Sequence, residues 1–453
     1  MNHKERILFG TDGIRGKAGL YPLNAATVLK LGQAAADVLL SESDSSDWPL
    51  VVIGKDTRQS GDMLETAIAA GLNSRGVDVR LAGVIPTPAI AFLTRDLGAA
   101  FGIVISASHN PFEDNGIKFF GPDGYKLDDD VELAIEERLL ETDTPQDSEK
   151  IGRTASLEDA AERYIHFVTH GNESGLLAGM TIALDAANGA AYQTSPAILK
   201  ALGAEVITFH DTPSGLNINN DCGCTHSEII ENLVKETGAT AGVSHDGDAD
   251  RVLLADENGK VLDGDELMAI AAISMLAEGT LRNNTLVTTV MSNAGLDKAV
   301  KEAGGQVLRT NVGDRYVVEA MKAGDHNFGG EQSGHFIFRD HNTTGDGIVS
   351  AVQLLSIVRQ SGKPLSELRK MLERFPQVQR NVRVSRKPDL KTVESIDRHV
   401  VETVETLGDG GRVLMRYSGT EPLLRILVEG QDMNYIETQI DKIAAAAKEA
   451  IGE

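Results

Sequence analysis

The sequence predicts an α/β protein: three related α/β domains followed by a small C-terminal α+β domain. Three observations lead there. Short apolar, β-branched runs alternate with helical stretches of about 10–15 residues. The rhythm restarts twice, which divides most of the chain into units of about 100–150 residues. It then changes over roughly the last 75 residues into strand, helix, strand, strand, helix. A chain of 453 residues has room for about three or more such units and for sizeable cores. The expected domain limits are 1–152, 153–253, 254–375 and 376–453.

In the first unit Val51 to Gly54 reads as a buried strand, Gly61 to Ser74 as a helix and Val79 to Ala82 as a strand. Pro86-Thr87-Pro88 reads as a turn, and Phe101 to Ile105 as a further strand. The acidic, weakly apolar stretch Glu141 to Lys150 separates this unit from the next. There Thr181 to Leu184 and Glu205 to Phe209 are strands around a helix from Tyr192 to Leu202, and Thr240 to Ser244 is another strand. The third unit opens with the strand Leu286 to Val290, then a helix from Leu296 to Ala303 and a strand from Gln306 to Arg309. The final domain, from near Arg374-Phe375-Pro376, has strands at Val378 to Val384, Arg412 to Met415 and Leu424 to Glu429. Its helices run from Leu390 to Leu407 and from Tyr435 to Ala450. No repeat can be aligned at the level of residues.

Composition removes several classes of function. The chain carries 67 acidic and 43 basic residues, a net charge of −24, so bulk nucleic acid is not an expected ligand. No segment approaches the roughly 18 apolar residues of a membrane span. Met1 to Arg6 is charged with no apolar run behind it, which is not the pattern of a signal peptide. The two cysteines, Cys222 and Cys224, cannot build a disulfide framework. They read as incidental thiols, in keeping with a cytoplasmic location.

Three segments carry the chemistry. Ile103 to Pro111 is an apolar strand ending in Ser106-Ala107-Ser108-His109-Asn110-Pro111, which leaves Ser108 on a loop as a candidate nucleophile. Asp246-Gly247-Asp248-Ala249-Asp250-Arg251 alternates carboxylates with small residues. If extended, it presents all three to one side, a donor set suited to Mg2+. An EF-hand is disfavoured, because Arg251 stands where such a loop needs glycine and Val252-Leu253-Leu254 reads as a strand. Arg416-Tyr417-Ser418-Gly419-Thr420 joins two strands and combines a guanidinium, two hydroxyls and a flexible backbone, a good phosphate nest. Arg425 is placed to return to it. Lys118 interrupts an apolar strand and is either at an exposed edge or functional. Gly329 to His335 combines glycines with Glu331, Ser333 and His335, a pattern suited to sugar hydroxyls. Nucleophile, metal ligands and anion clamp together indicate phosphoryl transfer.

Five ordered motifs resemble the α-D-phosphohexomutase superfamily along nearly the whole chain. They are Phe9 to Gly16, Ser106 to Pro111, Asp246 to Arg251, Gly330 to His335 and Arg416 to Pro422. Val312 to Val317, Gln332 and the Phe9 to Arg15 motif look most like its bacterial branch acting on glucosamine phosphate. The resemblance implies four domains around a central cleft and a phosphorylated Ser108. It implies one Mg2+ per active site, held by Ser108, Asp246, Asp248 and Asp250. Arg15 and Arg251 would stabilise the moving phosphoryl group, and Lys118 and His335 would handle the proton. Glu331 and Ser333 would hold ring hydroxyls. Arg416, Ser418, Gly419, Thr420 and Arg425 would grip the second phosphate. The implied reaction interconverts glucosamine 6-phosphate and glucosamine 1-phosphate through a 1,6-bisphosphate, which is also the implied activator. The implied partners are a hexose phosphate substrate, an activating kinase and a second copy of the chain, with no nucleic acid or membrane. The alternatives are a phosphomannomutase/phosphoglucomutase, an Mg2+-dependent sugar-phosphate phosphatase and a phosphosugar-binding protein without turnover.

Overall fold

Each of the first three units follows one chain order: strand, helix, strand, helix, strand, then a hairpin to a fourth strand. In the first the strands are Leu50–Lys55, Asp78–Val84, Phe101–Ile105 and Asp114–Phe120, in the second Thr181–Asp185, Glu205–Phe209, Ala241–His245 and Val252–Ala255. In the third they are Thr285–Thr289, Gln306–Thr310, Phe328–Gly330 and Phe336–Phe338. Every time, the first strand lies between the second and third and parallel to both, and the fourth is antiparallel to the third. The repetition expected from the rhythm is therefore real in three dimensions, although the residues do not align. The computed structural model describes residues 6–10, 12–40, 49–141, 150–418 and 421–453. The interior of the acidic stretch before Lys150, and the first five residues, lie outside the described residues.

The central strands are apolar because helices cover both faces of a parallel sheet. Val51, Val52 and Ile53 are fully buried, as are Ile182, Ala183 and Leu184. Strands outside the repeat widen two sheets. Gly13–Lys17 and Phe9–Gly10 continue the first beyond its fourth strand, and Thr154–Ser156 joins its other edge. Val261–Leu262 extends the second. Sheet pairing thus runs a few residues past 152 and about nine past 253, because edge strands of two or three residues leave no apolar pattern to read. Pro86-Thr87-Pro88 is not a free turn. It starts the helix Thr87–Asp96, where proline suits the first turn, and it buries Thr87.

Side chains of all three units share one continuous core, from Val52 and Ile85 through Ile182 and Leu184 to Leu286 and Phe328. Asp346 reinforces the join. It caps the helix Gly347–Ser361 through the N–H groups of Ile348 and Val349, and it accepts the hydroxyl of Tyr164, 2.8 Å away. The last domain is a three-stranded antiparallel sheet, Gln377–Arg383, Leu423–Gly430 and Gly411–Tyr417, with the second strand in the middle. Helices Glu394–Leu407 and Met433–Ile451 pack on it. Its core, around Leu424, Ile426, Ile436 and Ile440, is separate from the others.

Candidate active site

The hairpin between third and fourth strands recurs three times, and each copy carries one motif. The first holds Ser106 to Glu113, the second Asp246 to Arg251 and the third Glu331 to His335. All three meet at a cleft of about 670 Å3. Asp12, Arg15 and His109 line it from the first domain and Asp250 and Arg251 from the second. Gly313, Asp314, Glu331, Ser333 and His335 line it from the third, and Arg416 from the fourth. A cleft of this size suits a hexose phosphate.

Ser108 is buried, 1% exposed, next to the cleft-lining His109, with a left-handed backbone (φ +52°). Its Oγ donates to Asp246 at 2.5 Å and its N–H donates to Ser106 Oγ at 2.9 Å. Asp246, Asp248 and Asp250 are buried, with ligand oxygens within 4.8 Å of one another. They converge through a turn rather than an extended strand: Ala241–His245 has ended, and Ala249 is left-handed (φ +56°). The strand Val252–Ala255 follows at once, which leaves no EF-hand loop. Burial, then the charges of Asp250 and Asp248, pushes the Asp246 carboxyl well above its usual range. Asp248 Oδ1 and Asp250 Oδ1 are buried without a hydrogen-bond partner among the described residues. Orphaned carboxylate oxygens beside a serine hydroxyl fit a hard divalent cation.

Lys118 is 2% exposed, not at an edge, and lies 2.9 Å from Asp12, 3.0 Å from Asp248 and 3.7 Å from Asp250. Burial works against its charge. Asp12, Asp248 and Asp250 outweigh that and raise its pKa, so it is an ammonium at neutral pH. His335 stands between Asp250, 3.7 Å from Nδ1, and Asp314, 3.5 Å from Nε2, and these carboxylates overcome burial to raise its pKa. Arg15 pairs with Asp12, and Arg251 Nε lies 3.8 Å from Asp250. Glu331 accepts the Gly313 N–H at 3.1 Å. Arg416 and Arg425 face each other across antiparallel strands on one side of the sheet. Arg416 reaches the cleft; Arg425 lies 3.4 Å from Glu421 and, like buried Ser418, is not among the lining residues. Gly419 and Thr420 lie outside the described residues, as does Thr11 of the opening motif.

Several site residues escape the sequence reading. Lys126 bridges Asp12 and Asp314, each at 2.5 Å, and ties the first domain to the third across the cleft. Thr87 donates to Asp248 at 2.6 Å and fixes its orientation. Nothing local marks either residue; the partners are 114 to 188 positions away. A second group, Asp185, His210 and Cys222, also brings ligand atoms within 4.8 Å. Its carboxylate is already committed to the N–H groups of Ala187 and Gly223 and to His210, and burial, then Asp185, pushes the Cys222 thiol up to about 12.

The chain matches the phosphoglucomutase/phosphomannomutase alpha/beta/alpha domains I, II and III over residues 6–146, 162–259 and 263–375, and the C-terminal domain over 380–446. It is 52% identical to the phosphoglucosamine mutase of Syntrophotalea carbinolica over 99% of this chain and 98% of that one. It belongs to the phosphoglucomutase/phosphomannomutase family. It is also 51% identical to the phosphoglucosamine mutase of a Geobacter species (strain M21), over 98% of each chain. Among solved structures, a phosphoglucomutase/phosphomannomutase family protein from Burkholderia thailandensis superposes with a TM-score of 0.81 at 23% identity, covering 98% of this chain and 97% of that one. The N-acetylphosphoglucosamine mutase of Aspergillus fumigatus, solved with GlcNAc-6P and magnesium, gives 0.63 at 18% identity, covering 98% and 96%. These two share the fold. The four-domain phosphohexomutase architecture thus agrees with the expected fold class. Among the described residues no helix is long and apolar enough to cross a membrane.

Proposed function

We propose that this phosphohexomutase interconverts glucosamine 6-phosphate and glucosamine 1-phosphate through a phosphorylated Ser108. The carrying observation is the Ser108 hydroxyl 2.5 Å from Asp246, buried beside His109, Asp250 and Arg251 of a cleft that all four domains line. The choice of amino sugar rests on full-length relatives named phosphoglucosamine mutase at about half identity.

Mg2+ fits among Asp246, Asp248, Asp250 and Ser108 and would neutralise charge on the phosphoryl group and its serine oxygen. The sugar hydroxyl attacks phosphorus, the bond to Ser108 Oγ breaks and a 1,6-bisphosphate forms. After reorientation the other phosphate returns to Ser108, so the serine is regenerated in its phosphorylated form. Arg15 and Arg251 flank the transferring group. Of the two candidates for handling the hydroxyl proton, Lys118 enters this step charged and cannot accept it; His335 in its neutral form takes the proton, and Lys118 acts as an electrostatic anchor. Glu331 and Ser333 hold ring hydroxyls, while Arg416, with Ser418, Gly419, Thr420 and Arg425, grips the phosphate that is not reacting. A sugar 1,6-bisphosphate primes an unphosphorylated chain, and the reaction belongs in the cytoplasm.

The test is kcat/KM for glucosamine, glucose and mannose phosphates in parallel, with Mg2+ and a trace of sugar bisphosphate, beside the intact mass of the protein. The expected result is a strong preference for glucosamine phosphate and one phosphoryl group on Ser108. Equal or better use of glucose or mannose phosphate overturns the substrate. Release of inorganic phosphate without isomerisation overturns the mutase.

A further inference from the structure

The phosphoserine loop is gripped by two side chains that the mechanism does not use. Arg58 Nη2 donates to the Ser108 carbonyl and to the Asn110 carbonyl, both at 2.8 Å. Asn219 Nδ2, from the second domain, donates to the same two carbonyls at 2.9 and 3.2 Å. Each carbonyl therefore spends both lone pairs on the same pair of donors. Arg58 is fully buried and anchored through Nε to Asp56, 2.8 Å away, and its Nη1 reaches the carbonyls of Pro111 and Asp114. Gly247 of the metal loop closes over the grip, since a Cβ there would meet the Ser108 carbonyl at 2.5 Å.

We propose that Asn219 and Arg58 act as positioning residues for phosphoryl transfer: they hold Ser108 in its left-handed conformation with Oγ turned to the metal loop. Asn219 reaches across the domain boundary, so its grip also fixes the register between the phosphoserine loop and the three aspartates. This rests on Ser108 being the phosphoryl carrier. Neither side chain touches the open cleft, where ring hydroxyls and the second phosphate bind. Loosening the grip moves the reacting oxygen and leaves those contacts in place. A displacement of about 1 Å at a reacting atom costs on the order of a hundredfold in rate.

Arg58 is the buried counter-charge of Asp56 and its removal endangers the fold, so the test uses Asn219. Asn219 is itself left-handed (φ +57°), a conformation that Asn and Asp tolerate and Ala does not. A purely structural role lowers stability and leaves turnover per folded, phosphorylated molecule unchanged. The grip lowers that turnover, and lowers it more in Asn219→Asp, which sets a carboxylate against two carbonyls. The expected result, per phosphorylated site, is a kcat lowered about tenfold in Asn219→Ala and about a hundredfold in Asn219→Asp, with KM within about twofold of wild type. The 31P resonance of the phosphoserine shifts or broadens in both variants. Turnover in Asn219→Asp at or above that of Asn219→Ala, or an unchanged 31P resonance in both, overturns the grip. Wild-type protein that carries no phosphoserine and does not isomerise overturns the function and this inference together, and intact mass separates that case from the others.

Discussion

Replacing Lys118 by methionine removes one buried charge and three donors while keeping an unbranched side chain one atom shorter. Its Nζ lies 2.9 Å from Asp12, 3.0 Å from Asp248 and 3.7 Å from Asp250. At an effective dielectric of about 20, each attraction is worth about 4.5–5.7 kcal/mol before desolvation. Withdrawing the ammonium from water offsets most of this, and breaking a buried pair from one side costs about 3–5 kcal/mol net. Asp12 keeps Lys126 and Arg15, so the loss falls on Asp248 and Asp250. The repulsion between these two carboxylates is about 3.5 kcal/mol at the 4.8 Å limit of their separation. A divalent cation neutralises that repulsion, so the penalty depends on metal. Urea unfolding of wild type and Lys118→Met, in EDTA and in saturating Mg2+, measures it. The expected loss is about 3–5 kcal/mol in EDTA and less than half of that in Mg2+. Equal losses in the two buffers, or none in EDTA, would refute the shared-charge reading of Lys118.

Ser108→Ala should abolish isomerisation and phosphoserine while the melting temperature stays near that of wild type; residual turnover above about one part in a thousand would remove Ser108 from the mechanism. Arg416→Ala should raise KM for the sugar phosphate by about ten- to a hundredfold, the cost of one charge-assisted phosphate contact, with a smaller change in kcat; an unchanged KM would free the fourth domain of that role. Asp265 sits at the join of the third and fourth domains and accepts the Asn293 N–H at 2.9 Å. Burial dominates and pushes its carboxyl from 3.8 up to about 6. A raised folded-state value means stability that is fully present below about 3.8 and lost as the pH rises through about 6. Asp265→Asn should therefore gain on wild type by about 3 kcal/mol between pH 4 and 7; parallel stability–pH curves would contradict the assignment.

Much of the fold was legible because burial leaves a periodic trace. The strand expected at Leu286 to Val290 is Thr285–Thr289, and the helix expected at Tyr192 to Leu202 is Thr194–Ala201. The helix expected from Leu390 begins at Glu394, because Leu390–Thr392 forms a separate tight turn after Asp389. Gly264–Glu278 goes unassigned for the opposite reason: its own apolar residues stand on every face and its first nine residues are buried, so it has no amphipathic period. At the site, Ser108, the aspartates and Arg416 could be read because each stands in a compact motif. Lys126, Thr87 and Asn219 could not, because their partners are far away in sequence and a lone Lys, Thr or Asn has no local signature. Lys118 could be noticed as a charge in an apolar strand, but only its three carboxylate neighbours decide its role.

The threefold hairpin has a consequence for how such a catalyst changes over time. One connection, at one register position, supplies the proposed phosphoryl carrier in the first unit, the proposed cation cradle in the second and the proposed sugar floor in the third. Because a shared core, joined by the cross-domain contacts of Lys126 and Asn219, fixes where the three loops meet, a loop can be exchanged without redesigning the scaffold. Innovation in this architecture is a matter of rewriting five to eight residues at the tip of a repeated unit. The separately cored fourth domain and the strand Gly13–Lys17, which carries Arg15, are walls outside that repeat. Substrate preference and chemistry therefore rest largely on different hairpins, with Arg15, Lys118 and Arg416 added from outside them.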